Sequence, residues 1–403
     1  MTTASATLAA PHAAFREVWL VSIGHSLTHW YPATFYILLP LIGQELGLSY
    51  SQIGLVITCQ YIAGAISNIP GGMVVDGVER KGFLLALSLF WVGFPYLLMG
   101  LSHQYWMLLA CSMLVGIGNN LWHPAAIPTL ANRFPARKGL VLSMHNMGGN
   151  VGDALAPLAV GGLLGILSWR QIVVVNLAPG VLISFLILAY LGTWSVVGHG
   201  SARAQPAVRA ADHLAALMDL LRNRAVAVLV TSSFFRTMTQ SALLVFLPLF
   251  LTREMHYSPF AVGLCLFLLQ AAGFAAAPIA GYLSDRMGRS RIVLSSMAVT
   301  VVVLVFMALA GTSAIFVLFI ALLGFFLYAV RPVLQAWLLE ATPSSRGGTT
   351  IGLLFGAQAL GAAISPAVAG VLSDRYGLSA MFWFVTATIV IANFLILLVP
   401  KEA

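Results

Sequence analysis

Two short stretches, "LWHPAA" at residues 121–126 and "AVRPVL" at residues 329–334, each set a basic side chain beside a proline inside an apolar run. His123-Pro124 and Arg331-Pro332 lie 208 residues apart. Few other ionisable groups fall within apolar runs: His25 and His29, one helical turn apart, then His145, Asp153 and Arg236, with Glu340 closing the run that holds Arg331. Placing such a group in hydrocarbon costs about 2.5–3.5 kcal/mol even on a lenient insertion scale, so each is expected to face a polar cavity or a partner. A guanidinium offers a planar fork of N–H donors that suits the oxygens of a carboxylate, phosphonate or phosphate. Asp153 and Glu340 are the only acids in or near the runs to offset the two arginines, so an anion from solution is the expected counter-charge. Arg236 and Arg331 are therefore candidate substrate-binding residues, with His123, His29 and His25 as further donors. An imidazole titrates near neutrality after only a small shift, which makes Asp153, His29 and His145 the candidate proton carriers. Structural roles compete with each assignment: Arg331 tied to carbonyls freed by Pro332, Arg236 paired with Asp153, and every histidine packed in a helix interface.

Such residues need elements that hold them inside a membrane. Of the 403 residues, 60% are hydrophobic and 8% charged, which excludes a water-soluble surface over most of the chain. The apolar stretches reach the roughly 20 residues that a helix needs to cross a bilayer, and short charged or Gly/Pro breaks separate them. They predict an all-α polytopic membrane protein of twelve transmembrane helices. With both termini in the cytoplasm, fifteen of the twenty Lys and Arg fall on the inner side, against Arg170, Arg253 and Arg375 outside. That bias sets the topology and explains the net charge of +8 without a nucleic-acid partner. A multi-pass inner-membrane protein is expected, working as a monomer in the bilayer. Residues 1–17 read as a cytoplasmic tail with no cleaved signal. Cys59, Cys111 and Cys265 lie within spans without metal-ligand spacing, so no metal is expected. No phosphate-binding glycine loop or paired serine and histidine suggests an enzyme or a cofactor.

The segment at residues 198–224 is the one long polar stretch, and it divides a six-helix half at 18–197 from a second at 225–399, with 400–403 as a C-terminal tail. Leu214, Leu217, Met218 and Leu221 in that linker have the spacing of an amphipathic surface helix. The halves repeat at an offset of about 208: Gly116 matches Gly324, Pro40 matches Pro248, Thr28 matches Arg236 and His123 matches Arg331. Parallel six-helix repeats are related by an axis along the membrane normal and usually enclose a central cavity. His123 and Arg331 are then expected to face one cavity from opposite halves.

The eighth span ends in "GYLSDRMGRSR", residues 281–291, and the second in a degraded copy, "GMVVDGVERK", residues 72–81. The first resembles the Gly-x-x-x-Asp-Arg-x-Gly-Arg loop signature of the major facilitator superfamily at every position. That resemblance implies a twelve-helix fold with a cavity lined by the first, fourth, seventh and tenth spans, which carry five of the eight groups named above. It also implies a cytoplasmic gate formed by Asp285, Arg286 and Arg289 with Asp76 and Arg80, closing in the outward-open state; Gly77 and Glu79 depart from the signature in the first half. Within the superfamily, "GHSLTHWYPATFYILLPLI", "GIGNNLWHPAA" and "HNMGGNVGDALAPL" resemble the fosmidomycin-resistance family, proton-driven exporters of a phosphonate antibiotic. His29 stands where members of that family often carry an Asp.

The expected function is secondary active transport of a small organic anion, coupled to protons and running as export by antiport. A proton-linked importer of organic acids would use the same arginines. A drug efflux pump for neutral or cationic compounds would leave both arginines structural. A receptor that binds without transporting would need a signalling domain that a roughly 25-residue linker does not supply.

Overall fold

The structure, a computed structural model, describes residues 11–192, 217–311, 313, 315–343 and 346–400, apart from the side chains of residues 11–15, 68, 69, 72, 73, 76 and 120. Twelve long helices account for most of the described residues. The first half holds α1 (Pro11–Glu45), α2 (Tyr50–Gly77), α3 (Lys81–Gly100), α4 (Tyr105–Arg133), α5 (Lys138–Leu163) and α6 (Trp169–Leu191). The second holds α7 (Arg224–Arg253), α8 (Pro259–Met287), α9 (Arg289–Ala310), α10 (Phe316–Glu340), α11 (Gly347–Tyr376) and α12 (Ala380–Ile396). By length and composition alone, seven of them, α3 and α6 to α11, are long and apolar enough to cross a membrane. Polar side chains dilute α1, α2, α4 and α5, and α12 is shorter.

Local signals place the helix ends. Ser49 with Gln52, and Ser168 with Gln171, form capping boxes at the starts of α2 and α6. Ser258 caps α8 with Pro259 in its first turn, where a missing N–H costs nothing. Gly288 and Gly377 end α8 and α11 at φ 93° and 84°, the conformation that a glycine C-terminal to a helix adopts without a Cβ clash. Of the expected linker, residues 198–216 lie outside the described residues, Leu214 among them. Residues 217–222 are helical, with Leu220 buried and Met218 and Leu221 exposed. Asp219 there pairs with Arg346, whose hydrogen bond and charge hold the carboxyl below its ordinary range.

Each half packs alike: α1 on α5, α2 on α4 and α3 on α6, then α7 on α11, α8 on α10 and α9 on α12. Glycines let these backbones touch. A Cβ on Gly116 would sit 2.1 Å from the Gln60 carbonyl oxygen, and one on Gly324 2.1 Å from that of Leu269, so one contact recurs at the expected offset. Gly148 and Gly152 of α5 similarly meet the backbone of Ser22 and Ser26 in α1.

Between halves, α2 packs on α11 and α5 on α8. We call the end holding Glu45, Tyr50 and Asp374 outer and the other inner, following the charge bias. At the outer end, Gly54 abuts the Pro366 carbonyl, Gly370 that of Tyr50, Gly263 that of Pro157 and Gly161 that of Pro259. Nothing lies within 4 Å of where a Cβ would stand on Gly77, Gly139, Gly281, Gly352 or Gly356, towards the inner end. Among the described residues, the close glycine contacts between the halves lie at the outer end.

Candidate functional site

Between the halves lie two adjoining chambers, of about 450 Å³ and 300 Å³, which share Gln240, Arg331 and Phe355. The larger takes His25, His29, His123 and Asp153 from the first half and Tyr328, Arg331 and Gln335 from the second. The smaller takes Gln60, Tyr61 and Asn119 on one side and Arg236, Gln240 and Gln358 on the other. Residues from α1, α4, α7 and α10 therefore share one cavity, and His123 and Arg331 reach it from opposite halves.

On the first-half wall α5 presents His145, Gly149 and Asp153 on one face towards α1, four residues apart. Asp153 Oδ2 lies 2.9 Å from His29 Nδ1, in a pair where both side chains remain about one-third exposed to the cavity. His25 Nδ1 donates to the His145 carbonyl at 2.6 Å, an acceptor that fixes the proton on Nδ1. Its Nε2 lies 3.0 Å from His123 Nε2, and with one proton between them the two rings form a hydrogen bond. His145 is wholly buried with neither ring nitrogen hydrogen-bonded, and its ring stacks on His25 at 3.9 Å with an 11° tilt. Although nitrogens of His25, His123 and His145 lie within 4.8 Å of one another, stacked rings send their in-plane lone pairs side by side. They do not converge on a shared metal ion.

The second-half wall is different. Arg236 is 2% exposed, donating from Nη1 to the Leu327 carbonyl at 3.2 Å and from Nη2 to Gln240 Oε1 at 3.0 Å, while its Nε has no partner. The alternative pairing of Arg236 with Asp153 is not formed, because His29 holds that carboxylate. Arg331 is exposed to both chambers, and among the described residues no carboxylate pairs with it. Glu340 instead accepts from Arg289 Nη2 at 2.8 Å. Two guanidiniums thus line a polar cavity, Arg236 with only neutral hydrogen-bond partners and Arg331 with no carboxylate paired to it among the described residues.

At the inner end Arg289 bridges Asp285, at 2.5 Å, and Glu340, joining α8, α9 and α10 within one half. Arg286 lies over the Tyr282 ring at 4.3 Å. Arg80 precedes α3 and is exposed, and the Asp76 side chain lies outside those described. Of the aromatics, Tyr61 and Tyr328 line the cavity, whereas Tyr31 and Trp122 are buried in helix packing. Sequence reasoning missed the amides Gln240, Gln270, Gln335, Asn146 and Asn150 on the cavity walls. Uncharged amides inside apolar runs were the signal for them.

Two six-helix repeats around a polar cavity are the architecture of secondary transporters of the alternating-access class. The family model of the Major Facilitator Superfamily matches residues 18–236 and 229–403, and the chain belongs to that superfamily. It is 24% identical to the phosphoglycerate transporter protein of Salmonella typhimurium over 87% of this chain and 81% of that one. It is 23% identical to the fosmidomycin resistance protein of Escherichia coli, over 94% and 91%, and 27% identical to the multidrug resistance protein MdtG of Yersinia enterocolitica, over 88% and 86%. Among solved structures, a bacterial homolog of the human lysosomal transporter Spinster, inward-facing and unoccupied, superposes with a TM-score of 0.82 at 16% identity, covering 97% of each chain. The nucleoside transporter NupG reaches 0.79 at 12% identity, over 96% of this chain and all of that one. These are transporters and not enzymes, and a multi-pass membrane protein with a small-molecule substrate follows for this chain.

Proposed function

We propose that the protein moves a small organic anion bearing a phosphonate, phosphate or carboxylate group across the inner membrane, by exchange with protons in the export direction. The observation that carries this reading is the pair of cavity arginines, Arg236 and Arg331, without a carboxylate partner. Arg236 is buried, a buried charge without a counter-ion is expensive, and an incoming anion relieves it in the substrate-bound state. The resemblance to proteins named for phosphoglycerate transport and fosmidomycin resistance favours the same class of cargo. His123, with its Nε2 beside His25, and the cavity face of His29 complete the donor set. The His29–Asp153 pair is the proton site, because it holds the one acid on the cavity wall among the described residues, and His145 behind it belongs to the same cluster. Asp76, Arg80, Asp285, Arg286 and Arg289 form the inner gate, with both termini on that side and a monomer as the working unit.

Import of organic acids is the second reading, because two cavity arginines would equally suit a proton-linked importer. The test is thermal stabilisation of the purified protein by phosphonates, mono- and dicarboxylates and cationic drugs, with Arg236→Gln and Arg331→Gln in parallel. A ligand at 100 times its Kd adds about 2.7 kcal/mol. Anions that stabilise the parent and neither variant support the reading, and flux in proteoliposomes under opposed pH gradients then separates export from import. A cationic or neutral drug that stabilises all three proteins while anions do nothing overturns it.

A further inference from the structure

The outer ends of the halves meet along two seams that are copies of one contact. In one, Gly54 of α2 touches the Pro366 carbonyl of α11 and Gly370 touches that of Tyr50; in the other, Gly263 of α8 touches the Pro157 carbonyl of α5 and Gly161 touches that of Pro259. Corresponding residues are 209 apart, so the pseudo-twofold exchanges the seams. The α2–α11 seam has one feature more. The Asp374 carboxylate accepts from the backbone N–H of Tyr50 and of Ser51, each at 2.8 Å, and from the Ser51 hydroxyl. These are the first residues of α2, whose unpaired amides and positive dipole end favour an anion. Thr58 adds a hydrogen bond to the Ala363 carbonyl of α11 at 2.6 Å.

The second seam lacks the carboxylate and one of the two amides. The position matching Asp374 is Gly165, which has no side chain, and the position matching Tyr50 is Pro259, which has no N–H. Asp374 sits in "GVLSDRYG", residues 370–377, a second copy of the Gly-x-x-x-Asp-Arg-x-Gly stretch that ends α8 at the opposite face of the molecule. Gly377 ends α11 with the same positive φ as Gly288 ends α8. The local fold that presents Asp285 at the inner end therefore presents Asp374 at the outer one.

We propose that Asp374 is the outer latch: its carboxylate, held on the N-terminus of α2 across the α2–α11 seam, keeps the outer end shut and must let go when the transporter opens outward. Among the described residues the α5–α8 seam has no such carboxylate and closes by packing. This inference rests on the alternating-access class and not on any choice of substrate.

The test is the distance between spin labels at Gln44 and Ser379, both exposed at the outer end on opposite halves, in full-length protein reconstituted in lipid nanodiscs. The three native cysteines would first be replaced. Asp374→Ala is expected to raise the ratio of long to short outer distances several-fold. Asp374→Asn should raise it too, since an amide of equal size keeps one acceptor oxygen but loses the charge, and Ser51→Ala should move it less. Arg375→Gln, one residue on and exposed, should leave it unchanged. A ratio within twofold of the parent for both Asp374 variants overturns the latch; if Asp374→Ala does not fold, the isosteric Asp374→Asn decides. An equal rise in Arg375→Gln overturns it as well, because the effect would then belong to the segment and not to the carboxylate.

Discussion

On the second-half wall of the cavity, Arg236 and Arg331 stand among amides and carbonyls with no acid. On the first-half wall, His25, His29, His123 and His145 crowd together around Asp153, with the His29 and His123 ring centres 6.2 Å apart. Both walls descend from one repeat. The packing residues, Gly116 with Gly324 and Pro40 with Pro248, are alike, while Thr28 matches Arg236 and His123 matches Arg331. Packing is constrained by backbone contact and tolerates little change. Where the walls open to the cavity, His123 and Arg331 differ in side chain at matching positions. On the proposed reading one wall took the anion and the other the proton.

The sharpest way to break that division is Arg331→Gln. Loss of a charge-assisted hydrogen bond is worth about 1.5–3 kcal/mol, so affinity for the anion should fall about 10- to 150-fold, read as the loss of ligand-induced thermal stabilisation. Arg331→Lys should recover part of it, since the charge returns without the planar fork. An unchanged affinity in Arg331→Gln would move anion binding away from the second-half wall.

Asp153→Asn should spare binding and strike coupling. Transport driven by a pH gradient is expected to fall about tenfold, while counterflow, which needs no net proton movement, stays within about twofold. Equal losses in both assays would make Asp153 a structural counter-ion of His29. Gly149→Ala is a milder probe of the same wall. Its Cβ would lie 2.8 Å from His25 Cε1 and 3.0 Å from the His29 ring, so both imidazoles must shift by tenths of an ångström. A fall of about threefold in pH-driven transport with anion affinity unchanged is expected, as overpacking displaces the pair without removing it.

Much of this was legible beforehand. Twelve helices, two halves and the 208-residue offset follow from apolar runs, glycines and prolines, because a membrane forces every backbone into a helix and every ionisable side chain inward. Gathering of His25, His29, His123, Asp153, Arg236 and Arg331 at one cavity follows from the same cost, with His145 buried behind the wall. Partners were less legible. That Asp153 would join His29, and Glu340 join Arg289, depends on helix rotation and on which helices are neighbours, neither of which is written in a single span. The α2–α11 seam was overlooked because Asp374 lies beyond the apolar run, where an acid costs little and attracts no notice.

His145 offers the finest division of the two walls, because it is the one cluster member whose role is open to packing alone. Both its ring nitrogens are buried without a partner, and an unsatisfied buried polar group costs about 1–3 kcal/mol. His145→Phe removes that cost and keeps a ring to stack on His25, with a small penalty for the larger ring. If His145 only packs, the melting temperature should hold or rise by a few degrees and pH-driven transport should keep its parent profile. If His145 takes the proton in turn with His29, the variant should be as stable as the parent yet lose part of its response to a pH gradient. Stability and coupling then move independently, and the first-half wall is a relay of imidazoles ending at Asp153, not a single carboxylate with aromatic neighbours.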